Sequence, residues 1–233
     1  KINHHADVTN DELRISIDAK SVVKIGEFSR RGKTRVSGIV GSDHDFEPDA
    51  TLTPFGILLP EHDDVFIYFA NSSVTSDFIV DVLGLWWESV QRRFSHVSTL
   101  VINLDNGPEC HSRRTQFMNR MLGFASQYNL HIRLTYYPPY HSKYNPVERC
   151  WGILEIHWNG SLMDTVETAL NFAASMTWKG KHPRVALIDK VYKKGKCLCR
   201  QGMAEVEKQI KRLLHLEKWF VDIPMTAIPV AEN

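Results

Sequence analysis

The chain has 233 residues, of which 43% are hydrophobic and 24% charged, with a formal net charge of +1 at pH 7. This composition supports a folded domain with a sizeable core and excludes a charge-rich disordered chain. No apolar run approaches the roughly 18 residues of a membrane-spanning helix, and a nucleic-acid partner would have to be held by local basic patches.

The first residue is Lys and no signal peptide precedes the first strand, which gives the expectation that the sequence begins mid-protein, with an upstream domain missing, or after processing. Residues 1–10 read as a tail or linker remnant. "LRISIDAK" alternates, with Leu13, Ile15 and Ile17 on one face and Arg14, Ser16 and Asp18 on the other, as a strand does. "VVKIGEF" and "TRVSGIV" bracket the basic turn "SRRGKTR" as strands pairing across it. Gly41 to Asp64 is polar, carries Pro48, Pro54 and Pro60, and reads as a long loop or insertion. "VFIYFA" is another strand.

Thr75 and Asp77 open a helix in which Ile79, Leu83, Trp86 and Val90 recur at helical spacing. "TLVINLD" is a nearly continuous apolar run, expected of a strand buried on both faces, with Asp105 as its last residue. Phe117, Met121, Phe124 and Tyr128 stripe the next helix, and "LHIRLTY" alternates again. In "YYPPYHSKYNPVERCW", Asn145 reads as N-cap, Pro146 as the first helical residue and Glu148 as a capping-box glutamate. "MDTVETAL" carries an Asp-x-x-Glu capping signal, and "MAEVEKQIKRLLHLEKWF" reads as an amphipathic helix.

The order implies an α/β fold with a mixed five-stranded sheet, three antiparallel strands and then two parallel ones, flanked by helices. The core spans 11–160 with its insertion around 41–64, and 161–233 forms a helical extension. Cys110, Cys150, Cys197 and Cys199 lack paired CxxC spacing and read as free thiols of a reducing cytosol.

Three acids stand out by position. Asp18 lies in the first strand, Asp105 at the sheet edge where open α/β folds place ligands, and Glu148 at a helix start. If the strands "LRISIDAK" and "TLVINLD" are neighbours, the two aspartates can lie side by side. Three clustered carboxylates repel by about 4 kcal/mol per pair at roughly 4 Å and an effective dielectric near 20, so a cation must compensate. Oxygen-only ligands select Mg²⁺, with Mn²⁺ as substitute, and two such ions can activate a nucleophilic oxygen and stabilise a leaving oxygen of a phosphodiester. The bland alternatives stay open at this point: Asp105 followed by Asn-Gly forms a turn, Glu148 caps its helix, and Glu109 is a rival third ligand.

"IDAK", "VINLDNGPE" and "YYPPYHSKYNPVERCW" resemble the catalytic segments of DDE transposases, and the "DNG" after a strand resembles retroviral integrases. With "TPFGI", "TSDFIVD", "HWNG" and "MTWKGKHP", the set is similar to ISAzo-type bacterial insertion-sequence transposases. The resemblance implies an RNase H-like fold and a triad Asp18, Asp105 and Glu148 that binds two Mg²⁺ ions. It also implies cleavage at transposon ends and strand transfer into target DNA. Double-stranded DNA would be the partner, with assembly as a homo-oligomer on it, in the bacterial cytoplasm at the nucleoid. The family normally carries an upstream helix-turn-helix region that recognises transposon ends; no clear one is read in these residues, which gives the expectation of a catalytic fragment. Arg30, Arg31, Lys33 and Arg35 in one turn, His141 and Lys143 beside Glu148, and Lys179 and Lys181 in another turn would contact DNA backbone. The rival functions are an RNase H-like nuclease without strand transfer and a catalytically silent DNA-binding module. Trp151 and Trp158, at helical spacing, read as packing.

Overall fold

The computed structural model describes residues 2–26, 48–138 and 144–231. In chain order these form α1 (Ile2–Val8), β1 (Glu12–Ala19), β2 (Val23–Ile25), β3 (Ala50–Leu59), β4 (Asp64–Ala70), α2 (Ser76–Val90) and β5 (Thr99–Leu104). Then follow α3 (Thr115–Tyr128), β6 (His131–Tyr136), α4 (Glu148–Trp158), α5 (Val166–Ser175), β7 (Arg184–Ile188), α6 (Arg200–Gln209), β8 (Lys211–Arg212) and β9 (Phe220–Ile223). The chain divides into two compact units, Lys1–Ile17 with Val74–Asn145 and Tyr192–Asn233, and Asp18–Ser73 with Pro146–Val191.

In the first unit β1 runs parallel to β5 with Ser16 opposite Asn103, β5 parallel to β6, β6 antiparallel to β9, and β9 antiparallel to β8. The first strand and "TLVINL" are thus the neighbours expected. β5 is buried at every position and β6 at alternate ones, matching an apolar run and an alternating one respectively. α2 and α3 lie together. Gln116 Nε2 donates to Asp77 Oδ1 at 2.8 Å, Arg120 reaches Asp77 at 3.2 Å and Asp81 at 2.5 Å, and the Tyr128 hydroxyl donates to Glu88 at 2.7 Å. Asn129 ends α3 in the left-handed conformation that favours Asn or Gly.

In the second unit β2 pairs antiparallel with β3, β3 antiparallel with β4, and β4 parallel with β7. One apolar cluster joins Val23, Leu52, Ile67 and Phe69 from the strands to Val147, Cys150, Trp151, Leu154 and Trp158 from α4 and its approach, and to Ala169 and Ala173 from α5. Burial pushes the Cys150 thiol up to about 12. The four cysteines are free, two buried and two exposed. No helix among the described residues is long and apolar enough to cross a membrane.

Several expectations are corrected. The loop anticipated over Gly41 to Asp64 contains β3, ten residues long, with Pro54 inside it. Pro54 has no N–H to give, but its carbonyl accepts from Lys20 N at 2.8 Å, so the breaker is absorbed. "TRVSGIV" lies outside the described residues, which form nine strands rather than five. The first ten residues hold α1, tied to β1 by Arg14 bonding Asp7 at 2.5 and 2.9 Å. Residues 161–233 contribute β7, β8 and β9 besides helices, and the expected C-terminal helix stops at Gln209. α5 is capped by Thr165, whose hydroxyl accepts from Thr168 N at 3.1 Å, instead of by Asp164. Asn145 does not cap α4, because its fully buried amide is spent on β1. Ser16 Oγ donates to Asn145 Oδ1 at 2.5 Å, and Asn145 Nδ2 donates to the Ile17 carbonyl at 2.9 Å. α4 therefore starts at Glu148 with no side-chain cap.

Two outcomes follow in urea titrations. Asn145→Ala removes a donor to a buried carbonyl and an acceptor from a buried hydroxyl, and stability falls by about 2 kcal/mol. Burial pushes the Asp77 carboxyl up, but hydrogen bonds from Gln116 and Lys196 and the charge of Arg120 outweigh it and hold the group below the usual carboxylate range. Its contribution is therefore present above the unfolded value of 3.8 and lost as pH falls through the lower folded one. Asp77→Asn costs about 2 kcal/mol at pH near 7. The gap between variant and parent narrows as the titration is repeated toward about pH 3, and a gap that widens in acid contradicts this account.

Candidate active site

Asp105 directly follows the fully buried β5 and is half-buried. Its Oδ1 accepts from Gly107 N at 3.3 Å, and the Cys110 thiol lies 3.6 Å from the same oxygen. A Cβ at position 107 would stand 3.1 Å from Oδ1 and 3.4 Å from Oδ2, so glycine leaves the carboxylate its space. The loop is fixed from below by the buried Tyr136, whose hydroxyl donates to the Cys110 carbonyl at 2.9 Å. Asp105 does form the turn that "DNG" suggested, and a turn bond through one oxygen leaves the carboxylate able to serve elsewhere.

Glu109 has a different task. Its Oε2 accepts from Ser76 N at 3.2 Å and from Arg114 Nη2 at 3.2 Å, while Ser76 Oγ donates to its carbonyl at 2.7 Å. The carboxylate sits at the start of α2, where the helix dipole favours negative charge. The rival third ligand is thus engaged as a clamp between the loop and the helix.

Asp18 and Glu148 belong to the second unit. Asp18 stands one residue before the end of β1, half-buried, with Oδ2 accepting from Trp151 Nε1 at 2.8 Å. Glu148, half-buried, is the first residue of α4, one turn before Trp151 on the same helix. Trp151 packs as its spacing implied, being 7% exposed within the apolar cluster. Its bond to Asp18 was not legible, because nothing in the sequence says which acid an indole N–H meets.

Asp18, Asp105 and Glu148 are each half-buried carboxylates, and carboxylate oxygens are ligands that suit a hard divalent cation such as Mg²⁺. Among the described residues no three His, Cys, Asp or Glu side chains form a ready-made metal cluster.

Lys179 and Lys181 flank Gly180 in a tight turn with Lys179 at φ 46° and Gly180 at φ 84°. Lys179 Nζ pairs with Asp63 at 2.7 Å, and Lys181 Nζ bonds Asp64 at 3.0 Å and the His62 carbonyl at 2.7 Å. Both lysines remain more than half exposed, so their ammonium groups stay accessible while partly neutralised. Arg30, Arg31, Lys33, Arg35, His141 and Lys143 lie outside the described residues. Two histidines have ordinary partners: His131 meets Asp222 at 2.7 Å and His157 meets Ser175 at 2.9 Å.

No curated protein matches the chain. Among solved structures it is similar to the "Mos1 transposase paired-end complex with left transposon end", with a TM-score of 0.50 and 10% sequence identity over 73% of this chain and 49% of that one. The chain spans about half of that transposase chain, and at such identity the likeness concerns the fold, the RNase H-like arrangement expected from the motifs. A family model described as the Rhodopirellula transposase DDE domain matches residues 1–224. The chain therefore belongs to the Rhodopirellula transposase DDE domain family.

Proposed function

We propose that this domain cuts DNA at transposon ends and joins the freed 3′-hydroxyl to target DNA, with Asp18, Asp105 and Glu148 holding two Mg²⁺ ions. Membership of a transposase DDE family over residues 1–224 carries the reading. Three placements support it. β1 and β5 are parallel with Ser16 opposite Asn103, and each aspartate stands two residues further along its chain. Glu148 begins a helix, where backbone N–H groups favour the charged carboxylate that a metal needs. All three acids are half-buried, neither sealed in the core nor fully solvated.

When bound, the ions would activate the attacking oxygen and neutralise charge on the leaving one. The chain's own residues hold the carboxylates. Gly107 N and the Cys110 loop fix Asp105, and Trp151 fixes Asp18. Such preorganisation lets the site meet developing charge without reorganising. Duplex DNA from the transposon end and the target would be the substrate, gripped through phosphates by exposed lysines in a sequence-independent way.

Asp105→Asn tests the ligand role, because it keeps the shape while removing one charge. The variant loses strand cleavage, and its melting temperature in EDTA is at least that of the parent. Mn²⁺ raises the parent's melting temperature, since a ligand bound only by the folded state stabilises it, and raises the variant's much less. An equal metal response in both proteins, with the variant less stable in EDTA, returns Asp105 to a purely structural turn. For the lysines, Lys179→Ala with Lys181→Ala weakens binding to unrelated duplexes about equally. The slope of log affinity against log salt falls by about one unit per lost contact. An unchanged slope assigns both lysines to their Asp63 and Asp64 pairs alone.

A further inference from the structure

The Asp18 carboxylate, the indole of Trp151 and a glycine in β3 form one assembly within the second unit. Trp151 Nε1 donates to Asp18 Oδ2 at 2.8 Å. The far edge of the indole lies against Gly56: a Cβ built there would stand 2.7 Å from Cη2 and 2.8 Å from Cζ2 of Trp151, and 2.9 Å from Cγ2 of Val147. No side chain fits at those distances, so β3 carries a glycine in its interior despite the cost of that residue in a strand. The recess accepts the ring, and the ring's position fixes where its N–H points.

A second contact repeats the arrangement. Lys20, two residues beyond Asp18, pairs through Nζ with Glu155 Oε1 at 2.6 Å, and Glu155 is four residues beyond Trp151. Trp158 Nε1 in turn donates to Glu155 Oε2 at 3.0 Å. Asp18, near the end of β1, and Lys20, just beyond it, are thus gripped by residues i and i+4 of α4, a spacing that shares one helix face. Glu148 lies on the same helix face, three residues before Trp151.

We propose that Trp151 is a positioning residue for the metal-binding carboxylates. It fixes the orientation of Asp18 with its N–H, and because its ring is locked against Gly56 it holds α4, and with it Glu148, in a set relation to Asp18. Hydrogen-bonded partners that orient metal ligands typically change metal affinity or activity by about 10–100-fold when removed. An aromatic serving only as packing has no such effect beyond its cavity. This inference rests on the reading of Asp18 and Glu148 as metal ligands.

The test measures Mn²⁺ binding by calorimetry, with EDTA melting curves as the folding control. Trp151→Phe keeps an aromatic ring in the recess and deletes the donor. Replacement of Trp151 by 3-benzothienylalanine keeps the bicyclic shape and places sulfur where the N–H stands, which covers the case in which phenylalanine packs too loosely to fold. Asp18→Asn sets the floor. Both Trp151 replacements are expected to melt cooperatively and to bind Mn²⁺ about 10–100-fold more weakly than the parent. Their cleavage should be restored in part by higher Mn²⁺, with the KM for DNA unchanged. Parental Mn²⁺ affinity in the sulfur-substituted protein, alongside lost binding in Asp18→Asn, would overturn the positioning role and leave the ligand reading standing. Parental affinity in Asp18→Asn itself would overturn both.

Discussion

The buried end of β1 makes a demand that one side chain meets. Ser16 and Ile17 are fully or almost fully buried, and Asn145 bonds the hydroxyl of the first and the carbonyl of the second. Buried polar groups are costly unless paired, so the amide is committed there and cannot also cap a helix. The residue that leads into α4 is thereby anchored to the residues that lead into Asp18. That commitment explains why α4 opens at Glu148 without a side-chain cap, its Arg149 and Cys150 N–H groups bonding the Pro146 and Val147 carbonyls instead.

Packing in the second unit builds on the same logic of fixed geometry. α4 turns Val147, Cys150, Trp151, Leu154 and Trp158 toward one apolar cluster, and the indoles keep a polar edge that reaches an acid each. A Trp in this setting supplies buried area and a directed donor at once. The glycine at position 56 is the sequence cost of that arrangement, since any Cβ there would overlap the ring.

In the first unit, charge is distributed by role. Asp77 and Glu109 are drawn into bonds with Arg120, Lys196, Arg114 and Ser76 that join α2 to α3 and to the loop after β5. Asp105 accepts only from its own turn among the bonds described for it, a backbone N–H and a thiol, with no cation among these donors. Acids that hold the fold together are matched by basic side chains. The acid proposed to hold a metal is instead fixed in place by neutral donors, which orient it without competing for its charge.

Much of this was written in the local sequence. The alternation of "LRISID", the apolar run "TLVINL", the stripe of α2 and its Thr75 cap follow from periodicity and capping chemistry, which act over a few residues. The motif set around Asp18, Asp105 and Glu148 was likewise sufficient to point to the family. The sequence misled where a local signal was outweighed by distant partners. Three prolines made β3 look like a loop, yet antiparallel pairing with β2 over Ala50 to Leu52 and with β4 over Thr53 to Leu59 holds the strand. Asn-Pro looked like a helix cap, yet the amide was claimed by a strand 128 residues away. "KRLLHLEKWF" has helical spacing, yet pairing with β6 draws its last residue, Phe220, into β9. Trp151 read as packing alone, because an indole's second function depends on which acid stands at its edge. Periodicity determines what a segment can be; which of its polar atoms are already committed is decided only when residues remote in sequence compete for them in the folded chain.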